Sequence, residues 1–140
     1  MNRRDARKAS FSLIYQLEFI SHDEITENLD DFMNSYDDMD ALSKTFIMGE
    51  FNGVWQNITQ IDSLVSTYSK SWDIDRISKV DLAILRLSLY EILHCEDIPN
   101  KVSVNEAVEL AKEFGGDESS VFVNGILGKI VAESEEGVNA

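Results

Sequence analysis

Apolar residues recur along this 140-residue chain at helical spacing, and one stretch, Ser78 to Cys95, is apolar in nearly every direction. Val80, Leu82, Ala83, Ile84, Leu85, Leu87, Leu89, Tyr90, Ile92 and Leu93 surround the whole axis at about 100° per residue. Lys79, Asp81, Arg86, Glu91 and His94 interrupt the run, so it lacks the roughly 18 uncharged apolar residues of a membrane span. The pattern predicts a central helix packed on several sides. Ser78 stands as its N-cap, with Asp81 in the first turn. Arg86 is expected to be partly buried and paired with a carboxylate, and Cys95 to lie in the core inside the helix.

Other helices flank this one. A first is predicted from Arg3 to Phe19, with Phe11, Ile14, Tyr15, Leu17 and Phe19 inward and Arg3, Arg4, Arg7 and Lys8 on the exposed side. A second, acidic and amphipathic, spans Ser21 to Asp40 on the spacing of Ile25, Leu29, Phe32, Met33 and Tyr36; His22 is read as a surface residue at its start. A third runs from Leu42 to Trp55, where Gly49 and Gly53 invite close approach of another helix, and a fourth from Asn57 to Lys70. Trp72 to Ile77 make a tight link. Pro99 marks a turn, and Ser103 with Glu106 resembles a capping box opening a helix that ends at Gly115-Gly116. Asp117 or Ser119 caps the last helix, in which Gly125 suggests a close approach; the acidic tail past Ala132 is expected to fray. The result is an all-α chain of about seven helices.

Composition supports this reading. One proline and seven glycines give little punctuation for a many-stranded sheet, and the single cysteine rules out an internal disulfide or a multi-cysteine zinc site. No apolar signal-peptide core follows the charged N-terminus, so a reducing cytoplasm is the expected compartment. The net charge of −14 argues against nucleic acid, but its distribution argues for it. Residues 1–8 carry a net +3, whereas the remaining 132 hold 8 basic and 25 acidic groups. Cations at a helix N-terminus oppose the macrodipole, so a stability argument alone would place acids there. A solvated face with incidental charge is one reading of the cluster; phosphate binding explains the placement better, with Tyr15 as a stacking surface and Gln16 as a base-edge contact. On that view, replacing Arg3, Arg4 and Arg7 by Gln leaves stability equal or slightly higher.

Catalytic signatures are missing. There is no Walker loop, GxGxxG, HExxH, GxSxG or paired CxxC, and the aspartates between Asp30 and Asp40 lack the Gly and terminal Glu of an EF-hand. Neither an enzyme, a cofactor nor a metal is expected.

Four segments, RRDARKASFSLIYQ, WDIDRISKVDLAILRLSLYEIL, DIPNKVSVNEAVELAKEFGG and SSVFVNGILGKI, together resemble the NusB family of bacterial transcription antitermination factors, in the family's order and spacing. The resemblance spans nearly the whole chain except Ser21 to Asp40. It implies one helical domain of two small bundles packed across each other, here roughly 1–72 and 73–134 with a tail at 135–140. It also implies a non-enzymatic role: binding single-stranded boxA-type RNA of ribosomal RNA leader transcripts as a heterodimer with the ribosomal protein NusE, and acting on the RNA polymerase elongation complex. The RNA contacts it implies are Arg3, Arg4, Arg7, Lys8, Tyr15 and Gln16, with Phe122 and Asn124 of the FVNG motif. For NusE the candidates are Asp81, Glu106 and Glu109. An acidic protein–protein adaptor that binds no RNA is the alternative. The related helical domain fused to RNA cytosine methyltransferases is set aside, because no strand–Gly-rich-loop unit for S-adenosylmethionine is present.

Overall fold

A computed structural model describes residues 1–70 and 73–139, and among these it is all helical. The elements are α1 (Arg3–Tyr15), a 3-10 turn (Gln16–Glu18), α2 (His22–Glu27), α3 (Leu29–Asn34), α4 (Ala41–Gln56), α5 (Ile58–Ser69), a second 3-10 turn (Ile74–Arg76), α6 (Lys79–His94), α7 (Asn100–Phe114) and α8 (Asp117–Asn139). Trp72 of the expected link lies outside the described residues.

The predicted central helix is α6. Every residue from Asp81 to Leu89 is buried. Helices α1 and α4 pack on each other and on α6, α7 and α8 do the same, and α5 touches both α6 and α8. Each Leu or Ile fully buried in this way contributes about 1.5–3 kcal/mol, so α6 is where the two groups of helices are joined. The Ser78 hydroxyl caps it, accepting the Asp81 N–H at 3.1 Å. Arg86, the cation in this apolar helix, is held as expected. Its Nε and Nη2 donate to Asp62 of α5 at 2.9 and 2.8 Å, and its Nη1 donates to Glu18 at 2.5 Å. Burial works against the guanidinium charge, but the two carboxylates outweigh it and raise its pKa.

Gly53 is required by packing. A Cβ there would sit 2.1 Å from the Tyr90 ring, so glycine lets α4 close on α6, whereas Gly49 and Gly125 have nothing within 4 Å of a Cβ. The expectation of close packing holds for Gly53 and fails, within this chain, for the other two. Gly116 takes φ +99° and stops α7, as the Gly-Gly pair predicts.

Five expectations are corrected. The acidic second helix is two short ones, broken at Asn28 (φ −107°, ψ 12°), whose side chain donates to the Glu24 carbonyl at 2.8 Å. His22 points inward, its ring stacked 4.3 Å from Trp55 and 5.4 Å from Phe51. Helix α7 begins at Asn100, after Pro99, so Ser103 and Glu106 are interior residues and form no capping box. Cys95 is the half-buried C-cap of α6 and not a core residue within it, and α8 continues past Ala132 to Asn139.

Candidate nucleic-acid interface

The basic cluster occupies the first turns of α1, where the Asn2 side chain accepts the Asp5 N–H at 2.7 Å. Its four cations do not share one face. Arg3 and Arg4 are exposed and Lys8 is half-exposed, but Arg7 lies on the stripe of Ser10, Phe11 and Ile14 and is only 5% exposed. The Arg7 guanidinium makes a two-pronged pair with Glu91 of α6, at 3.0 and 3.2 Å, and the Ser103 hydroxyl donates to the same carboxylate at 2.9 Å. Glu50 of α4 adjoins this group. Burial, and then the neighbouring Glu91 charge, push its pKa up to about 9, so Glu50 is neutral at physiological pH and the single Glu91 charge offsets Arg7. The assignment of Arg7 to the exposed side is therefore overturned: a buried guanidinium already engaged by a carboxylate does not reach phosphate.

Two other cations are also met by acids. Arg4 Nε and Nη2 donate to Glu106 at 3.2 and 3.0 Å, and Lys8 lies 3.0 Å from Glu113. These α7 carboxylates supply the compensation for the helix dipole that the sequence alone did not reveal. Both pairs border solvent, where phosphate oxygens can substitute for the carboxylates.

Further along α1 the aromatic rings form a line. Phe114 lies 5.0 Å from Phe11, Phe11 6.1 Å from Tyr15, and Tyr15 5.0 Å from Phe19, centre to centre. Phe19 and Phe114 are 57% and 45% exposed, and the Lys79 ammonium sits 5.4 Å above the Phe19 ring. Beside the α7 end of this line is a cleft of about 440 Å³, walled by Arg76, Val80, Asp81, Phe114, Glu118 and Phe122 among others. Exposed flat rings with cations alongside make a surface on which unpaired bases stack.

The remaining expected residues divide between two places. Tyr15 and Phe122 are half-buried and belong with the aromatic line and its cleft, and Gln16 is half-buried in the 3-10 turn following Tyr15. Asn124 is exposed on another side of α8, in a groove shared with Arg4, Asn105, Glu109 and Gly125. Of the expected partner-facing acids, only Glu109 is open. Glu106 is taken by Arg4, and Asp81 is 7% exposed, although its Oδ1 has no hydrogen-bond partner and the residue lines the cleft. Phe19, Phe114 and Lys79 were missed as site residues, whereas Phe11 is buried as expected. The i, i+4 spacing of Phe11, Tyr15 and Phe19 carried the signal, but such a stripe is indistinguishable from core in sequence.

The NusB family model matches residues 4–132. The chain belongs to the NusB family. Among curated NusB relatives, the transcription antitermination protein NusB of Acetivibrio thermocellus is 47% identical over 131 residues, covering 94% of this chain and 89% of that one. The NusB of Clostridium novyi is 42% identical over 132 residues, covering 94% and 98%. The solved structure of T. maritima NusB superposes with a TM-score of 0.86 at 36% identity, covering 95% of this chain and 92% of that one. A crystal structure of the antitermination factors NusB and NusE in complex with dsRNA contains a chain of the same fold, with a TM-score of 0.82 at 21% identity over 91% of this chain and 94% of that one. The NusB fold is therefore present along essentially the whole chain. Among the described residues no helix is long and apolar enough to cross a membrane, and no group of three or more His, Cys, Asp or Glu is placed to hold a metal.

Proposed function

We propose that this NusB-family chain is a transcription antitermination factor that binds single-stranded boxA-type RNA together with a NusE partner, and acts non-enzymatically on the elongating RNA polymerase in the cytoplasm. The observation that carries the reading is the surface beginning at α1, where exposed cations at the N-terminal turn are followed by the half-buried Tyr15 and the exposed rings of Phe19 and Phe114, the two ends being linked beneath by the buried Phe11. Phosphates exchange with Glu106 and Glu113 on Arg4 and Lys8, while Arg3 offers a cation with no ion pair among the described residues. Bases stack on the aromatic line. In this reading Arg7 supports the turn from within, and Asn124 and Gly125 extend the RNA path along the α8 groove.

The NusB relatives are named for antitermination, and one structural neighbour was crystallised with NusE and RNA. The acidic remainder of the chain suits a basic ribosomal protein, which would meet it away from the RNA path. A titration with boxA-type single-stranded RNA, the same sequence as a duplex, and a scrambled strand, each with and without NusE, tests the proposal. Preference for the boxA single strand, strengthened by NusE, is expected. NusE binding with no RNA binding would convert the reading to a protein–protein adaptor.

A further inference from the structure

Between α1 and α7 the accessible cations are matched one to one with acids. A cleft of about 320 Å³ there is lined by Arg4, Lys8, Glu106, Glu109, Lys112 and Glu113 among others. Glu106 accepts two hydrogen bonds from Arg4, at 3.2 and 3.0 Å, Glu113 lies 3.0 Å from Lys8, and Glu109 lies 3.7 Å from Lys112. The spacing of Glu106, Glu109 and Glu113 puts them along one face of α7. Local helix chemistry does not call for acids at these places. Glu106 caps nothing, and Glu113 stands in the last turn of α7, where a carboxylate opposes the helix dipole. Pairs this open to solvent also contribute little to folding. What they do is occupy the cations. Glu106 fills the Nε–Nη2 edge of Arg4, the fork that otherwise takes two oxygens of a phosphate, and its hydrogen bond is the chief cause of a raised Arg4 pKa.

We propose that Glu106 and Glu113 form an acid latch, an intramolecular competitor that closes Arg4 and Lys8 to phosphate until an RNA strand displaces both carboxylates. The inference rests on the RNA-binding reading above and adds to it a regulation of the same site. Opening the latch costs the same whichever anion arrives. A short phosphate chain without bases has only its charge to set against that cost, whereas a strand that also stacks on Phe19 and Phe114 gains enough to open it. Arg3 has no ion pair among the described residues and so carries no such latch.

Glu106→Gln with Glu113→Gln opens the latch while keeping size and helix propensity. The probes are a boxA-type single strand and tripolyphosphate. The double variant, with its melting temperature within about 2 °C of wild type, should bind the strand about tenfold more tightly, from about two- to fivefold per pair. Glu113→Gln alone should give part of that gain. Tripolyphosphate should bind the double variant about tenfold more tightly as well. Glu109→Gln is the control for bulk charge, because its acid shares the α7 face but pairs with Lys112, and it should gain no more than about twofold. In a background of Arg4→Gln with Lys8→Gln the gain from opening the latch should fall to the level of this control, since no cation is left to release. A gain no larger than the control, or one that persists without Arg4 and Lys8, would overturn the latch and leave the RNA reading standing. Weaker RNA binding in the folded double variant would overturn it too, making the acids supports for the cations. Salt-dependent RNA binding by neither wild type nor the double variant would overturn both readings.

Discussion

Arg7→Gln is the perturbation that most sharply separates a structural from a functional basic turn. Arg7 and Glu91 have side chains 6% and 1% exposed, joined by two hydrogen bonds of 3.0 and 3.2 Å. Removing the guanidinium strands the Glu91 carboxylate beside Ser103 and Glu50, with no cation within the buried group. Breaking a buried pair in this way costs about 3–5 kcal/mol. A chain of this length has a total stability of roughly 7–21 kcal/mol, so the loss is a large fraction of it. At about 3–4 °C per kcal/mol, the melting temperature should fall by roughly 9–20 °C. Thermal melts followed by circular dichroism measure this, with Arg4→Gln as the control, since its pair with Glu106 is open to solvent and contributes little. Adding Glu91→Gln to Arg7→Gln should recover much of the loss, because no unpaired charge then remains buried. An Arg7→Gln melt within about 2 °C of wild type would refute the reasoning, showing that Glu91 finds water or a proton at little cost. The expectation that this arginine could be replaced without harm is withdrawn.

Three further outcomes follow from the packing. Glu50 keeps its proton in the folded chain up to about pH 9 but loses it near the ordinary carboxylate value when unfolded, so stability should decline as pH rises through that window. Glu50→Gln should remove this slope and gain on the order of 3 kcal/mol at pH 7, read as urea midpoints at pH 5 and 8; parallel curves for the two proteins would contradict it. Gly53→Ala forces the Tyr90 ring aside and should destabilise by about 1–3 kcal/mol, while Gly125→Ala, with open space at its Cβ, should stabilise by up to about 1 kcal/mol. Arg86→Ala removes the cation shared by Asp62 and Glu18, leaving only Lys79 at 3.6 Å from Glu18, and should lower the melting temperature clearly with RNA binding retained; an unchanged melt with RNA binding lost would move Arg86 to the RNA surface.

What could be read from the chain beforehand followed local physics. The all-round apolar run gave α6 and its burial, the charge in that run gave a paired Arg86, and Gly115-Gly116 gave the end of α7. The misreadings involve partners distant in sequence. Arg7 shares a helical stripe with Ser10, Phe11 and Ile14, so its inward direction was available, but the acid that makes burial tolerable lies 84 residues away. Ser103 and Glu106 have the spacing of a cap, yet Pro99 starts the helix one turn earlier, freeing Ser103 for Glu91 and Glu106 for Arg4. Asn28 breaks an amphipathic stretch because its amide competes for the Glu24 carbonyl, a choice that periodicity does not register. The aromatic stripe is a mixed case: helical spacing predicts Phe11, Tyr15 and Phe19 as inward-facing, and Phe11 is buried and Tyr15 half-buried, but α1 ends at Tyr15 and Phe19 beyond it stays open, as does Phe114 at the end of α7.

The claim that the α1 surface binds RNA is tested most directly by the salt dependence of affinity in a variant that spares the buried pair. Arg3→Gln, Arg4→Gln and Lys8→Gln together remove the accessible cations and leave Arg7 with Glu91. Wild type should show a slope of log affinity on log salt of about −2 for three phosphate contacts on a single strand. The triple variant, with its melting temperature little changed and NusE binding intact, should lose most of that slope and most of its affinity at low salt. Full RNA affinity with the wild-type slope in the triple variant would contradict the account and leave the basic turn as a solvated, acid-paired helix end.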